Sequence, residues 1–378
     1  MTGRAMRREK TDKGNEREAS YELLRIIAMC MIIALHYLTK GKVLTPLADT
    51  GNMNGARTAA WIVEALCLPA VNVYVLISGF FGKSVSFRIS KVVRLWLTAL
   101  FYSLLITGIL GAAGMLTTEG GAVPVSAMTI YDWMNVIFPV VTEEYWFITA
   151  YLILYLFMPF LNAGMDRLDP KEFRNILIVL FVVFSLAKSI LPMQLPIDKK
   201  GYDVLWMVCM YLLGGYFGRY GCRLFEKRYR SVLLYLSASL ATAAIAFAAR
   251  SLYINRGLLP DLTLNNYFYT YNHIFCVLAS VGLFGSFQGV HITGKRLSAF
   301  ICRVSACTMG VYLIHEQLYM RYLWPEWFHT QRQNGKWSFL PHMVMTVICV
   351  FTVCATVEWL RKRVVQYIQY GYHARKVV

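Results

Sequence analysis

The chain has 378 residues, of which 57% are hydrophobic and only 16% charged, with a formal net charge of +17. A soluble domain of this size carries nearer a quarter charged residues, so the composition excludes an ordinary soluble enzyme. Apolar stretches of 18 or more residues recur along the whole length, which points to an all-α, polytopic integral membrane protein with about ten transmembrane helices.

The first twenty residues are hydrophilic and basic, without an apolar core or cleavage site, and are expected to be a disordered cytoplasmic tail rather than a signal peptide. The membrane domain is expected over residues 21–363, with a second cytoplasmic tail over 364–378. Spans are expected near 22–39, 59–82, 92–116, 144–164, 173–192, 203–220, 229–249, 269–288, 300–323 and 338–360. Lys and Arg concentrate in both tails and in the second, fourth, sixth and eighth loops. The positive-inside rule then places both termini in the cytoplasm and accounts for the basic balance without a nucleic-acid partner. The nine cysteines are scattered singly and match no zinc-binding spacing, so they are read as reduced core residues.

The first span, Tyr21–Leu38, contains Arg25 and His36, with Glu22 at its entrance. The two residues are eleven positions apart, roughly 20° past three full turns and about 16 Å along the axis, so they share one helix face. An arginine in a membrane helix costs roughly 3 kcal/mol on insertion scales and usually lines a polar cavity or meets a partner. The bland alternative is that Arg25 snorkels to the headgroups and His36 caps a turn near the other surface.

The second span closes on Ser78, Gly79 and Gly82, small residues that permit close helix approach. Lys83, Arg88, Lys91 and Arg94 come next, either as ordinary inside positives or as a cluster that holds a phosphorylated cytosolic ligand. After a Gly- and Pro-broken loop, Ile130–Val141 reads as a short interfacial or re-entrant helix. The fourth span opens on Glu143, Glu144, Tyr145 and Trp146, two carboxylates with no basic residue in the preceding loop to pair with them. Tyr151 and Tyr155 share a face below them. Glu64, Lys188 and Glu358 also interrupt apolar runs, and His315, in Gly310–Leu318, should sit at a depth comparable to His36. No metal is expected, since no acidic cluster joins the two histidines.

On these residues the chain resembles acyltransferase family 3, the ten-helix integral membrane acyltransferases. The family's arginine, ten residues, histidine signature is matched by Arg25 and His36, with Glu22 where members often carry an acid. Its Ser-Gly-Phe turn is matched by Ser78, Gly79 and Phe80, its Trp-Phe run by Trp146 and Phe147, and its late Tyr-Leu-x-His run by Tyr312, Leu313 and His315. The family's basic loop is only partly matched, because Lys91 replaces an arginine and the proline is missing.

The resemblance implies a plasma (inner) membrane O-acyltransferase. It would move an acyl group, usually acetyl, from cytosolic acyl-CoA (acetyl-CoA as co-substrate, no permanently bound cofactor) to a hydroxyl of an envelope glycan or lipid-linked glycan. His36, Arg25 and Glu22 would be catalytic, and Ser78, Lys91 and Arg94 would bind the donor. Glu143, Glu144, Trp146, Tyr151 and His315 would lie on the acceptor side or support the site. Some members carry a fused extracytoplasmic hydrolase-like domain that completes transfer, so the resemblance implies that this chain acts alone or with a separate extracytoplasmic transferase partner. Two other readings stay open: a small-molecule permease lined by the same polar residues, and a membrane sensor or scaffold with a degenerate site.

Overall fold

The structure, a computed structural model, describes residues 2–84, 87–191 and 199–376, with side chains described for 19–83, 87–191 and 199–369. It is 75% helical. Sixteen α-helices run through these residues in order: α1 Thr2–Thr39, α2 Gly55–Cys67, α3 Ala70–Phe80, α4 Ile89–Ala112, α5 Ile130–Ile137, α6 Trp146–Arg167, α7 Pro170–Phe181, α8 Ala187–Ile190, α9 Val204–Tyr220, α10 Arg228–Arg256, α11 Pro260–Leu264, α12 Ile274–Ser286, α13 Lys295–Ser305, α14 Thr308–His315, α15 Met320–Trp327 and α16 Phe339–Lys376. A two-stranded hairpin, β1 Thr117–Thr118 and β2 Gly121–Ala122, interrupts the loop after α4.

Eight helical segments among the described residues are long and apolar enough to cross a bilayer: Ala19–Thr39, Gly55–Phe80, Ile89–Ala112, Trp146–Arg167, Pro170–Ile190, Arg228–Arg256, Lys295–His315 and Phe339–Gln369. The expected spans at 203–220 and 269–288 are occupied by shorter helices, α9 of 17 residues and α12 of 13. At 1.5 Å per residue α12 is only about 20 Å long, short of the roughly 30 Å hydrocarbon core. The apolar run that suggested a longer helix there begins in buried turn: Phe268, Tyr269 and Tyr271 are buried, and the Asn72 amide donates to the Tyr271 carbonyl oxygen at 2.9 Å. The basic segment expected as irregular tail continues α1 as helix from Thr2.

The bundle is centred on α1, which packs against α2, α3, α13, α14 and α16. Glycines set the closest approach elsewhere. A Cβ on Gly79 would meet the Tyr211 carbonyl oxygen, and one on Gly214 or Gly218 would meet the carbonyl oxygens of Leu76 or Phe80. The α3–α9 pair is therefore held backbone to backbone, the contact small residues permit in a bilayer where apolar side chains gain little from leaving lipid.

The ninth expected span ends earlier than 323. The helix stops at His315, and the Gln317 side chain caps the turn that leads into α15. Its oxygen accepts from the N–H groups of Tyr319 and Met320 at 2.9 and 3.1 Å, while its amide donates to the Thr107 hydroxyl on α4 at 3.0 Å. A buried side chain thus takes over donors that a continued helix would have used.

Candidate active site

His36 is placed by the last turn of α1 and His315 by the last residue of α14. His36 Nδ1 and His315 Nε2 are 3.0 Å apart. His315 Nδ1 lies 2.6 Å from the carbonyl oxygen of Val311, one turn back on its own helix. A carbonyl oxygen only accepts, so His315 Nδ1 carries the proton and, in the neutral ring, Nε2 is the acceptor. His36 Nδ1 must then donate to it, which assigns the remaining nitrogen of His36, Nε2, as the unprotonated one.

Glu316 lies beside this pair. Its Oε2 is 3.1 Å from His36 Nδ1 but makes no aligned hydrogen bond, because the Nδ1 proton is directed at His315. The carboxylate therefore acts on His36 as a nearby charge, with side-chain exposures of 19% for His36 and 7% for Glu316. Arg321 approaches the other carboxylate oxygen at 3.7 Å and donates to the Glu144 backbone oxygen and carboxylate at 2.8 and 3.2 Å. Burial works against the charge on Arg321, yet Glu316 and Glu144 raise its pKa above the ordinary value. Burial also raises the Glu144 carboxyl, against the pull of Arg321.

His36 lines a small cavity of about 40 Å³ together with Met29, Tyr74, Trp146, Phe147 and Tyr312. The walls are mostly apolar, and the Tyr312 hydroxyl is buried without a hydrogen-bond partner among the described residues. At the other end of α1, Arg25, Ser78, Lys91, Tyr151 and Tyr155 line a second cleft of about 220 Å³. There Glu22 pairs with Arg25 and accepts from the Ser305 hydroxyl. Tyr74 joins the two spaces: it lines the first and its hydroxyl donates to the Arg25 backbone oxygen at 2.6 Å.

The residues singled out in the sequence therefore fall into three groups. His36 and Trp146 line the small cavity, with His315 in contact with His36, while Arg25, Ser78, Lys91 and Tyr151 line the second cleft, with Glu22 paired to Arg25. Tyr151, grouped from sequence with the acceptor side, stands with Ser78 at 3.5 Å. Arg94 is exposed and does not line that cleft. Glu143 is an exposed surface residue paired with Lys199 at 2.7 Å, and Glu144 is tied to Arg321. The acidic pair thus finds its cations far along the chain, Lys199 in the loop before α9 and Arg321 in α15, not in the loop before it. Of the other intramembrane acids, Glu358 is satisfied by Tyr102, Arg361 and Lys362.

The residue that sequence reasoning missed is Glu316. Its signal was the polar triplet His315-Glu316-Gln317 inside an apolar run. It also alters the metal question, because ligand atoms of His36, His315 and Glu316 lie within 4.8 Å of one another. Three ligands with an open position is a known catalytic zinc pattern. Against it, the guanidinium of Arg321 sits beside Glu316, and two like charges disfavour a cation there.

The family model for the acyltransferase 3 domain matches residues 18–359. Neither a curated protein nor a solved structure matches the chain.

Proposed function

The chain belongs to the acyltransferase 3 family of membrane acyltransferases, and on that premise we propose that it transfers a short acyl group from acyl-CoA to a hydroxyl of a cell-envelope glycan. The observation that carries this reading is the hydrogen-bond chain His36–His315–Val311, which leaves one imidazole nitrogen of His36 free to take a proton. His36 Nε2 removes the acceptor hydroxyl's proton as the oxygen attacks the thioester carbonyl carbon. The carbonyl becomes a tetrahedral oxyanion, and the unpartnered Tyr312 hydroxyl is the donor on the same cavity wall that can stabilise it. The C–S bond then breaks, the coenzyme thiolate leaves, and the proton on His36 passes to it. The Glu316 carboxylate stabilises the transient imidazolium. An acyl-histidine relay uses the same groups with His36 as nucleophile.

The donor reading assigns the coenzyme to the cleft of Arg25 and Lys91, with the pantetheine arm running along α1 towards His36. A planar guanidinium and an exposed ammonium at a cleft mouth suit phosphate and amide oxygens. The central cavity, about 40 Å³, is near the volume of one or two waters and favours a two-carbon acyl group over a long chain. Ten spans, cytoplasmic termini and a plasma-membrane location belong to the same proposal.

Incubating purified protein with labelled acetyl-CoA and envelope glycan tests it. Label appearing on glycan, lost in His36→Ala, is the expected outcome. Uptake of a solute into proteoliposomes without any acyl transfer would replace the enzyme by the permease.

A further inference from the structure

Three cavities succeed one another along α1. Arg25 lines the first, residues from Met29 to His36 line the second, and Lys40, Gly41 and Lys42 line a third of about 410 Å³. Lys40 is four residues past His36, about 6 Å further along the same axis. The loop there is held to the helix end: the Gly41 N–H donates to the His36 carbonyl oxygen at 3.0 Å. The Thr330 hydroxyl donates to the Gly41 carbonyl oxygen at 2.8 Å. A Cβ on Gly41 would collide with the Tyr37 carbonyl oxygen and the Thr330 side chain, so this floor admits only glycine. The β1–β2 hairpin supplies the facing wall through Thr118 to Gly121.

The charges on this cleft are unusual. Lys40, Lys42, Arg332, Glu119 and Glu326 all line it, and among the described residues none of them forms an ion pair. Lys40 is held over the Tyr322 ring, 5.0 Å from its centroid. Charges that face one another across an open cleft without pairing keep their hydrogen-bonding capacity for a ligand. Two carboxylates accept from hydroxyl groups, and three cations donate to hydroxyls or to an anion. The cations are in excess, and charge-assisted bonds to them are the strongest on offer.

We propose that this third cleft binds the acceptor as an acidic saccharide. Lys42 and Arg332 hold its carboxylate or phosphate, while Glu119 and Glu326 take its hydroxyls. The saccharide's role as acceptor rests on the acyltransferase reading; the saccharide site itself does not. The cleft's place directly beyond His36 would present a neighbouring hydroxyl to the central cavity, with the donor arriving from the opposite end of the same helix.

The test is direct binding to the full-length purified protein, without acyl-CoA, of a glucuronate-bearing disaccharide and of the matching neutral disaccharide. The acidic probe is expected to bind about tenfold or more tightly, the scale of a charge-assisted hydrogen bond. That preference should vanish in K42E/R332E and weaken with added salt. Thermal melting checks that the double variant is folded, and Arg332→Gln, a milder change, should lose part of the preference. Equal affinity for the two probes, no binding of either, or a preference that survives K42E/R332E overturns the proposal. An acidic preference in a protein that transfers no acyl group would remove the enzyme reading and keep the saccharide site. Acyl transfer with no acidic preference would do the reverse.

Discussion

His36 and His315 come within 3.0 Å through ring nitrogens although 279 residues of chain separate them. The contact has a direction, because the Val311 carbonyl oxygen fixes the proton on the far nitrogen of His315. His315 is thus a positioning residue that selects the tautomer of His36, and Glu316 is the charge that answers a proton on His36. Both sit where a helix ends within the bundle, on backbone whose last carbonyls are themselves engaged: the indole of Trp324 donates to the His315 carbonyl oxygen at 3.2 Å.

His36→Ala should lower acyl transfer by about 10²–10⁴-fold, the usual contribution of a positioned acid–base group, while acyl-CoA still binds. His315→Ala leaves His36 in place without its tautomer partner, so the loss should be smaller and confined to kcat. His315→Gln, whose amide oxygen can accept from His36 Nδ1, should recover part of it. Equal and complete loss in both alanine variants, with donor binding intact, would instead make His315 a direct participant.

Glu316→Gln removes the counter-charge and keeps the shape. A fall in kcat of about tenfold or more, with little change in either KM, is expected from weaker stabilisation of the imidazolium. The same trio offers a metal reading, so chelators provide a second measurement. Extensive dialysis against a strong chelator should leave activity unchanged; loss restored by zinc would replace the proton relay with a metal centre.

Tyr312→Phe deletes one buried hydroxyl that has no partner among the described residues. If the hydroxyl serves the oxyanion, kcat should fall by about 10²-fold or more without loss of fold, as for removal of a single oxyanion donor. Were it merely packed, removing an unsatisfied buried polar group would leave activity alone and raise the melting temperature.

How much of this is legible in the sequence depends on distance along the chain. The shared face of Arg25 and His36 comes from helical period alone, and both residues do line cavities along one helix. The short helix after the glycine-rich loop is also legible, and it is present as Ile130–Ile137. Glu316 is hidden because a helix continued to 323 would have turned it away from His315. The break depends on Gln317 meeting Thr107, a contact 210 residues apart that no local pattern encodes. The same holds for Glu144 and Arg321, which are 177 residues apart. The shortened α12 reflects tertiary hydrogen bonds to its preceding turn.

Reporter fusions test the topology on which the donor side depends. Positions after Thr117 and Gln331 should read outside, and those after Gly164 and Val378 inside. The eight long apolar segments among the described residues, with or without the two shorter helices, make an even number, which would return the chain to its starting side if each crosses the bilayer. A C-terminus found outside would put the Arg25 cleft on the wrong face for a cytosolic donor.

Lys91 and Arg94 separate a binding role from a topological one. From sequence they form one cluster, yet only Lys91 lines the cleft with Arg25 and Ser78. Helix period explains the division. On α4, Lys91, Val92 and Leu95 fall within about 100° of arc, whereas Arg94 lies about 60° outside it on the other side of Lys91. Lys91→Gln should therefore raise the KM for acyl-CoA several-fold and flatten its dependence on ionic strength, because one phosphate contact is lost. Arg94→Gln should do neither. Arg25→Ala should raise that KM further, and Arg25→Lys should recover only part of the affinity, since lysine keeps the charge but not the planar fork. Equal effects of Lys91→Gln and Arg94→Gln would mean that the basic segment acts through general surface charge, and the assignment of the coenzyme to this cleft would fall with it.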